Sequence, residues 1–249
     1  MTRIFTTLAL FSVALLCANI VLGLAIGDYN GVYSERKQSG EEIQEQRRDL
    51  ERQRRVLRDR RPRPQEKVDE IESEIEELNS RARGIEIVHA PMTQRKRVHF
   101  LLGVVAVLTA VLVNSICVTY FIGTSRWIRE VVDTYGFPQA WIAEANHIKR
   151  RAFPWALASM LAAVGIAALG QAADPETIRA GTASWVTPHM IGAMLGTAFI
   201  AYAFFVQHQR IYANYEIIQR IVAKVKEVRR AKGLDVEEQA SMPTLTIGH

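Results

Sequence analysis

The chain is short of most of what chemistry needs. Its 249 residues include two cysteines, Cys17 and Cys117, and both lie inside apolar runs. A disulfide scaffold is dense in cysteine and is therefore excluded. No Walker loop, HExxH, GxSxG, CxxC or strand-following GxGxxG occurs, so the sequence offers no catalytic motif. The absence with the most structural weight is local. Four stretches contain no Asp, Glu, Lys or Arg: 4–26, 98–123, 152–173 and 188–207. Other stretches are charged at every second or third position. That segregation excludes a single soluble globule and a fully disordered chain, although mean hydropathy is near zero.

A membrane-crossing helix needs about 20 predominantly apolar residues. The four charge-free stretches therefore predict four transmembrane helices, within segments 1–27, 98–123, 152–173 and 188–207. The first apolar run exceeds the roughly 7–15 residues of a signal-peptide core, so an uncleaved signal anchor is expected. No acidic residue lies at bilayer depth, which argues against a proton or ion pump. Asn19, Asn114, Ser115 and Thr119 are the notable polar groups in the spans, with interhelical hydrogen bonding their default role.

Lys and Arg in short connections set orientation. The 124–151 connector carries Arg126, Arg129, Lys149, Arg150 and Arg151, and the 208–233 extension is also basic. The 174–187 loop carries only Arg179, against Asp174 and Glu176. Both termini and the connector are then cytoplasmic, most simply at the inner (cell) membrane. Segments 28–97 and 174–187 lie outside. Arg95-Lys96-Arg97 beside the second span is the one counter-signal.

Segment 28–97 reads as a charged antiparallel coiled-coil hairpin turning at Pro62-Arg63-Pro64. Its second arm has a seam at Val68, Ile71, Ile75, Leu78, Ala82 and Ile85, in alternating steps of 3 and 4. Ile43, Leu50 and Leu57 recur every seven residues in the first arm. The first arm is rich in Arg and the second in acid. Such a rod suits a protein partner. Its interleaved acids argue against nucleic acid.

After the second span, Ser125 is placed to cap an amphipathic interfacial helix that ends at Gly136-Phe137-Pro138. A second short helix leads into span three. Span four is expected to continue as one long helix to Gly233, with a second seam at Ile211, Tyr215, Ile218, Val222 and Val225. The cytoplasmic helices are a further partner surface, and 234–249 reads as a loose tail. Span three is built of small residues. Gly192 and Gly196 form a GxxxG that serves either packing within the chain or homo-oligomers.

The fold expected is thus an all-α integral membrane protein with four transmembrane helices, an extracytoplasmic hairpin and cytoplasmic amphipathic helices. Its expected role is structural: a scaffold or accessory subunit, without catalysis and without a cofactor. One alternative is electron transfer. His99 and His189 open spans two and four, while His147 and His208 lie toward the other face. One pair per face is the ligand pattern of a two-haem b-type cytochrome, or of a quinone site. The 19-residue step from His189 to His208 is about 28 Å along a helix, which fits two separate sites. A transmembrane sensor without its own output domain is the other alternative.

Overall fold

The computed structural model describes residues 1–62, 64–177 and 181–234. The loose tail expected over 235–249, together with Arg63 of the turn and Arg179 of the short loop, falls outside the described residues. The described chain is all-helical: α1 (Thr2–Ile26), α2 (Tyr29–Asp59), α3 (Gln65–Tyr135), α4 (Ala140–Ala173), a 3-10 turn (Thr182–Trp185) and α5 (Val186–Ala231). α1, α3, α4 and the stretch containing α5 are long and apolar enough to cross a membrane.

Helix ends follow local chemistry. α1 and α2 are separated only by Gly27-Asp28. Gly27 takes a left-handed φ of 74°, and the Asp28 carboxylate accepts the Gly31 amide at 2.9 Å. Such an N-cap contributes about 1 kcal/mol. α3 stops at Gly136, with φ 65°, where the Phe137 amide reaches back to the Val132 carbonyl at 2.9 Å. That is the Schellman end that glycine permits. Gly233 ends α5 in the same way, through Leu234 onto Arg229.

α3 is 71 residues long and unbroken. The expected interfacial helix beginning at Ser125 is therefore the end of α3, and the second short helix is the start of α4. Ser125 caps nothing; it is buried inside α3. Gly123 alone does not stop the helix: its penalty is about 1 kcal/mol, and the Thr124 hydroxyl beside it bonds back to the Tyr120 carbonyl of the preceding turn. Pro91 and Pro154 also lie inside helices. The carbonyls they leave without an amide belong to Ile87 and Arg150, both exposed, so solvent can satisfy them.

The chain forms two compact units. One comprises 1–13, 108–163 and 197–249. On α4 its buried stripe is Ala145, Ile148, Ala152, Ala156, Ser159 and Ala163, while Leu157 and Leu161 face outward, 60% and 63% exposed. Small side chains inward and large apolar ones outward is the arrangement of a helix solvated by lipid, where close backbone packing replaces the hydrophobic drive. In the same unit, Phe5 of α1 meets Phe204 of α5 edge-on, ring centroids 6.2 Å apart.

The other unit comprises 14–107 and 164–196. It contains α2 and the N-terminal part of α3, linked by ion pairs in antiparallel order: Arg58 and Arg54 to Glu72, and Arg36 to Glu86. Val68, Ile71 and Leu78 are buried between the arms with Ile43. Ile75 and Ile85 are half-buried, and Ala82 is exposed.

Candidate functional site

Three polar constellations stand out in a chain otherwise made of apolar faces and solvated charge. The first is a junction within the 14–107/164–196 unit. Lys96 of α3 places its ammonium 2.9 Å from Asp174 and 2.8 Å from Glu176. The Tyr29 hydroxyl donates to Glu176 at 2.6 Å, and Lys96 lies 5.7 Å above the Tyr29 ring. Asn30 donates to the Ala173 carbonyl and accepts from Thr182. Arg36 donates to Thr93. The start of α2 and the α3 turn before span two are thereby tied to Asp174, Glu176 and Thr182. Lys96 and Asp174 side chains are each only 16% exposed, so these charges are largely taken from water and depend on one another.

The electrostatics follow. Burial works against the Lys96 ammonium, but hydrogen bonds to Glu176 and Asp174 outweigh it and hold its pKa above the usual lysine value. Glu176 is held below the carboxylate range by its hydrogen bonds from Lys96 and Tyr29. Tyr29 is pushed well above its ordinary value by burial and by its bond to the Glu176 carboxylate.

The second constellation is one turn further along α3. His99 and His189 meet edge-to-face, with ring centroids 6.3 Å apart and an interplanar angle of 73°. Glycines make the space. A methyl group at Gly23 would sit 2.9 Å from the His99 ring, and one at Gly170 would sit 3.0 Å from the His189 ring. His99 Nδ1 lies 3.1 Å from the Asn19 carbonyl oxygen, which can only accept. Nδ1 therefore carries the proton and donates. His189 Nδ1 and Asn19 Oδ1 are buried without a hydrogen-bond partner among the described residues.

The sequence paired His147 with His208 at the other face. His147 is exposed on α4, and His208 Nδ1 lies 3.0 Å from the Thr6 hydroxyl. Of the four histidines named as haem ligands, the structure brings together His99 and His189. Among the described residues, no group of three or more His, Cys, Asp or Glu could hold a metal ion. Two imidazoles alone fall short of a closed four-ligand shell.

The third constellation is a polar ladder in the 1–13/108–163/197–249 unit. Asn114 donates to Ser159 at 3.0 Å and accepts from Gln207 at 2.9 Å, and all three are fully buried. Two turns along α5, Asn214 donates to Tyr120 and Thr124 at 3.1 and 3.0 Å.

This ladder departs from the seam expected on α5. The buried line on α5 is Gln207, Ile211, Asn214, Ile217 and Ile221, whereas Tyr215 is 44% exposed and Ile218, Val222 and Val225 are half-buried. Counting apolar residues alone turned the face by about one position. The inward residues Gln207 and Asn214 are polar because they bond across to α3. Their seven-residue spacing, in register with Ile211 and Ile221, was the signal available. Tyr29 and Lys96 were likewise missed. Lys96 lies three residues before His99, on the same helical face, and that alignment was legible.

Gly192 and Gly196 are occupied from within the chain. A methyl at Gly192 would meet Leu169 Cδ1 at 2.5 Å, and one at Gly196 would meet Ile166 Cδ1 at 2.7 Å.

These features define an all-helical membrane protein with four helices long and apolar enough to cross a bilayer. No protein-family model, curated protein or solved structure matches the chain.

Proposed function

We propose that this chain is a non-catalytic membrane scaffold or accessory subunit that presents a coiled-coil hairpin, formed by α2 and the first part of α3, to a protein partner. In this reading the hairpin is extracytoplasmic, both termini are cytoplasmic, and the protein resides in the inner membrane. The observation that carries it is the junction at the hairpin base. Lys96, Asp174, Glu176 and Tyr29 place buried charge where it clamps α2 and α3 to the segment just after α4, rather than around an open cleft. A clamped rod keeps its direction, which is what a positional role requires. Deleting 34–84 should abolish recovery of partners in pull-downs of the full-length protein from membranes, while membrane insertion persists. Recovery of every partner by the deletion protein would refute the proposal.

One observation favours a second reading, electron transfer at a b-type haem or quinone site: His99 and His189 come together across helices. Protein purified after expression with haem supplied would then show a Soret band and sharp reduced α and β bands. Both would be lost in His99→Ala and in His189→Ala. A featureless visible spectrum rejects haem.

A further inference from the structure

The two flanks of the α2–α3 seam are not alike. On one flank Arg54 and Arg58 reach across to Glu72 and close it. The other flank is open. Two adjoining hollows of about 360 and 780 Å³ run along it, sharing Asp49 and Glu74 in their walls. Their floor is apolar and includes Leu50, Leu57, Ile71 and Leu78. Val56 stands on this side 54% exposed, on a rod that the sequence places in water. A two-stranded coiled coil that was complete would be flanked by charge pairs on both sides of its seam. Among the described residues, this one has such pairs on one side only.

The charges on the open flank are arranged unequally. The middle of the α3 wall carries Glu70, Glu74 and Glu77, with Lys67 and Arg81 at its two ends, and the α2 wall carries Arg52 beside Asp49. Arg52 pairs with its own helix neighbour Asp49, at 3.2 Å, and not across the seam. Anchoring then restricts how two copies can meet. Two hairpins rooted in the same face of one membrane can be related only by a two-fold axis along the membrane normal. The α2 wall of each copy must therefore meet the α3 wall of the other at the same height. Glu72 pairs with both Arg54 and Arg58, so it stands at the height of Val56, midway between them. In a symmetric pair, Arg52 of one copy, one turn nearer the membrane, then falls between Glu74 and Glu77 of the other. Val56 of each copy comes level with Ile71 and Glu72 of the other and can cover the apolar floor.

We infer that the open flank of the hairpin is a homotypic interface, with a second copy of this chain as its occupant, completing a parallel-rooted four-helix bundle. The inference rests on the hairpin reading above and names its first partner. The alternative face for self-association, Gly192 and Gly196, is already filled by Leu169 and Ile166.

The test uses full-length protein in liposomes, with donor- and acceptor-labelled populations mixed at a low protein-to-lipid ratio. One variant makes the α2 wall acidic (Arg52→Glu with Gln53→Glu). The other makes the α3 wall basic (Glu70→Lys, Glu74→Lys and Glu77→Lys). Wild-type copies should transfer energy. Each variant alone should lose association at least 10-fold. The two variants mixed should recover it, because acidic α2 then faces basic α3 and the second contact stays native-like. Helix content by circular dichroism checks that each variant folds, and recovery in the mixture itself requires folded protein. A monomeric wild type overturns the inference. So does association that survives both reversals, which would place the contact in the spans. The scaffold reading fails separately, on the 34–84 deletion.

Discussion

Replacing Lys96 with methionine should invert the pH dependence of stability. In the native protein the ammonium lies 2.9 Å from Asp174 and 2.8 Å from Glu176. Glu176 has a lowered pKa in the fold, caused first by Lys96 and then by Tyr29. Its contribution is therefore present above the ordinary carboxylate range and is lost as pH falls through the lowered value. Lys96 and Tyr29 both have raised values. Their contributions are complete below the ordinary tyrosine and lysine range and are lost as pH rises beyond it. Thermal unfolding in detergent, followed by circular dichroism, should give a plateau from about pH 5 to about pH 9 with a fall on either side. In Lys96→Met the methionine stem still fills the space, but two carboxylates face each other with no cation between them. Removing one partner from a largely buried pair costs about 3 kcal/mol, discounted to about 2 here because Glu176 is 46% exposed. Protonating Glu176 relieves the repulsion, so the variant should gain stability as pH falls through the ordinary carboxylate range. An acid limb of unchanged sign in Lys96→Met would show that the junction is not what fixes the base of the hairpin.

What sequence patterning reveals depends on how a residue is satisfied. The four apolar runs are plain because bilayer depth tolerates no unpaired charge, and all four appear as helices of sufficient length. The long fourth helix is plain too, since nothing between Val186 and Ala231 interrupts it except Pro188 in its first turn. Interruption itself is harder to read, as Ser125 shows. A serine two residues after a glycine suggests a cap, yet helix continues wherever no stronger competitor for the backbone amides exists. Polar residues with partners distant in sequence are the least visible. Gln207 donates to Asn114 at a separation of 93 residues, and Tyr29 to Glu176 at 147. Each looks like a surface residue until its acceptor is known. The histidines show both outcomes. His99 and His189 meet because Gly23 and Gly170 leave room for two rings, and no periodicity in the sequence announces that. The pairing of His147 with His208 rests on depth alone, and His208 instead lies against Thr6.

The GxxxG of α5 supplies the second large effect, because its two readings predict opposite outcomes. If Gly192 and Gly196 served contacts between copies, adding bulk would cost association and spare the fold. In the structure a methyl at Gly196 would approach Ile166 Cδ1 to 2.7 Å and Cγ1 to 2.9 Å. The Cδ1 contact is with the end of a flexible side chain and can yield; the Cγ1 contact, nearer the backbone, yields less. Gly196→Ala should therefore cost about 1 kcal/mol and Gly196→Leu about 3 kcal/mol, as overpacking between helices in contact. The strain has one named source, so Ile166→Ala should recover at least half of the Gly196→Leu loss. A double-mutant cycle would then show coupling of about 1–2 kcal/mol. Gly165 is the internal control. It lies on α4, where an added methyl would find nothing within 4 Å, so Gly165→Ala should be neutral or stabilising by up to about 1 kcal/mol, through helix propensity alone. Midpoints of unfolding in mixed detergent with increasing dodecyl sulfate would measure all these variants on one scale. If Gly196→Leu unfolds like the native protein while Ile166→Ala changes nothing, the glycines do not serve packing within the chain. If the loss appears and Ile166→Ala repairs it, α4 and α5 are held by the fit of Ile166 and Leu169 into those two notches. Self-association must then come from a surface the chain leaves open, and the unclosed flank of the α2–α3 seam is such a surface.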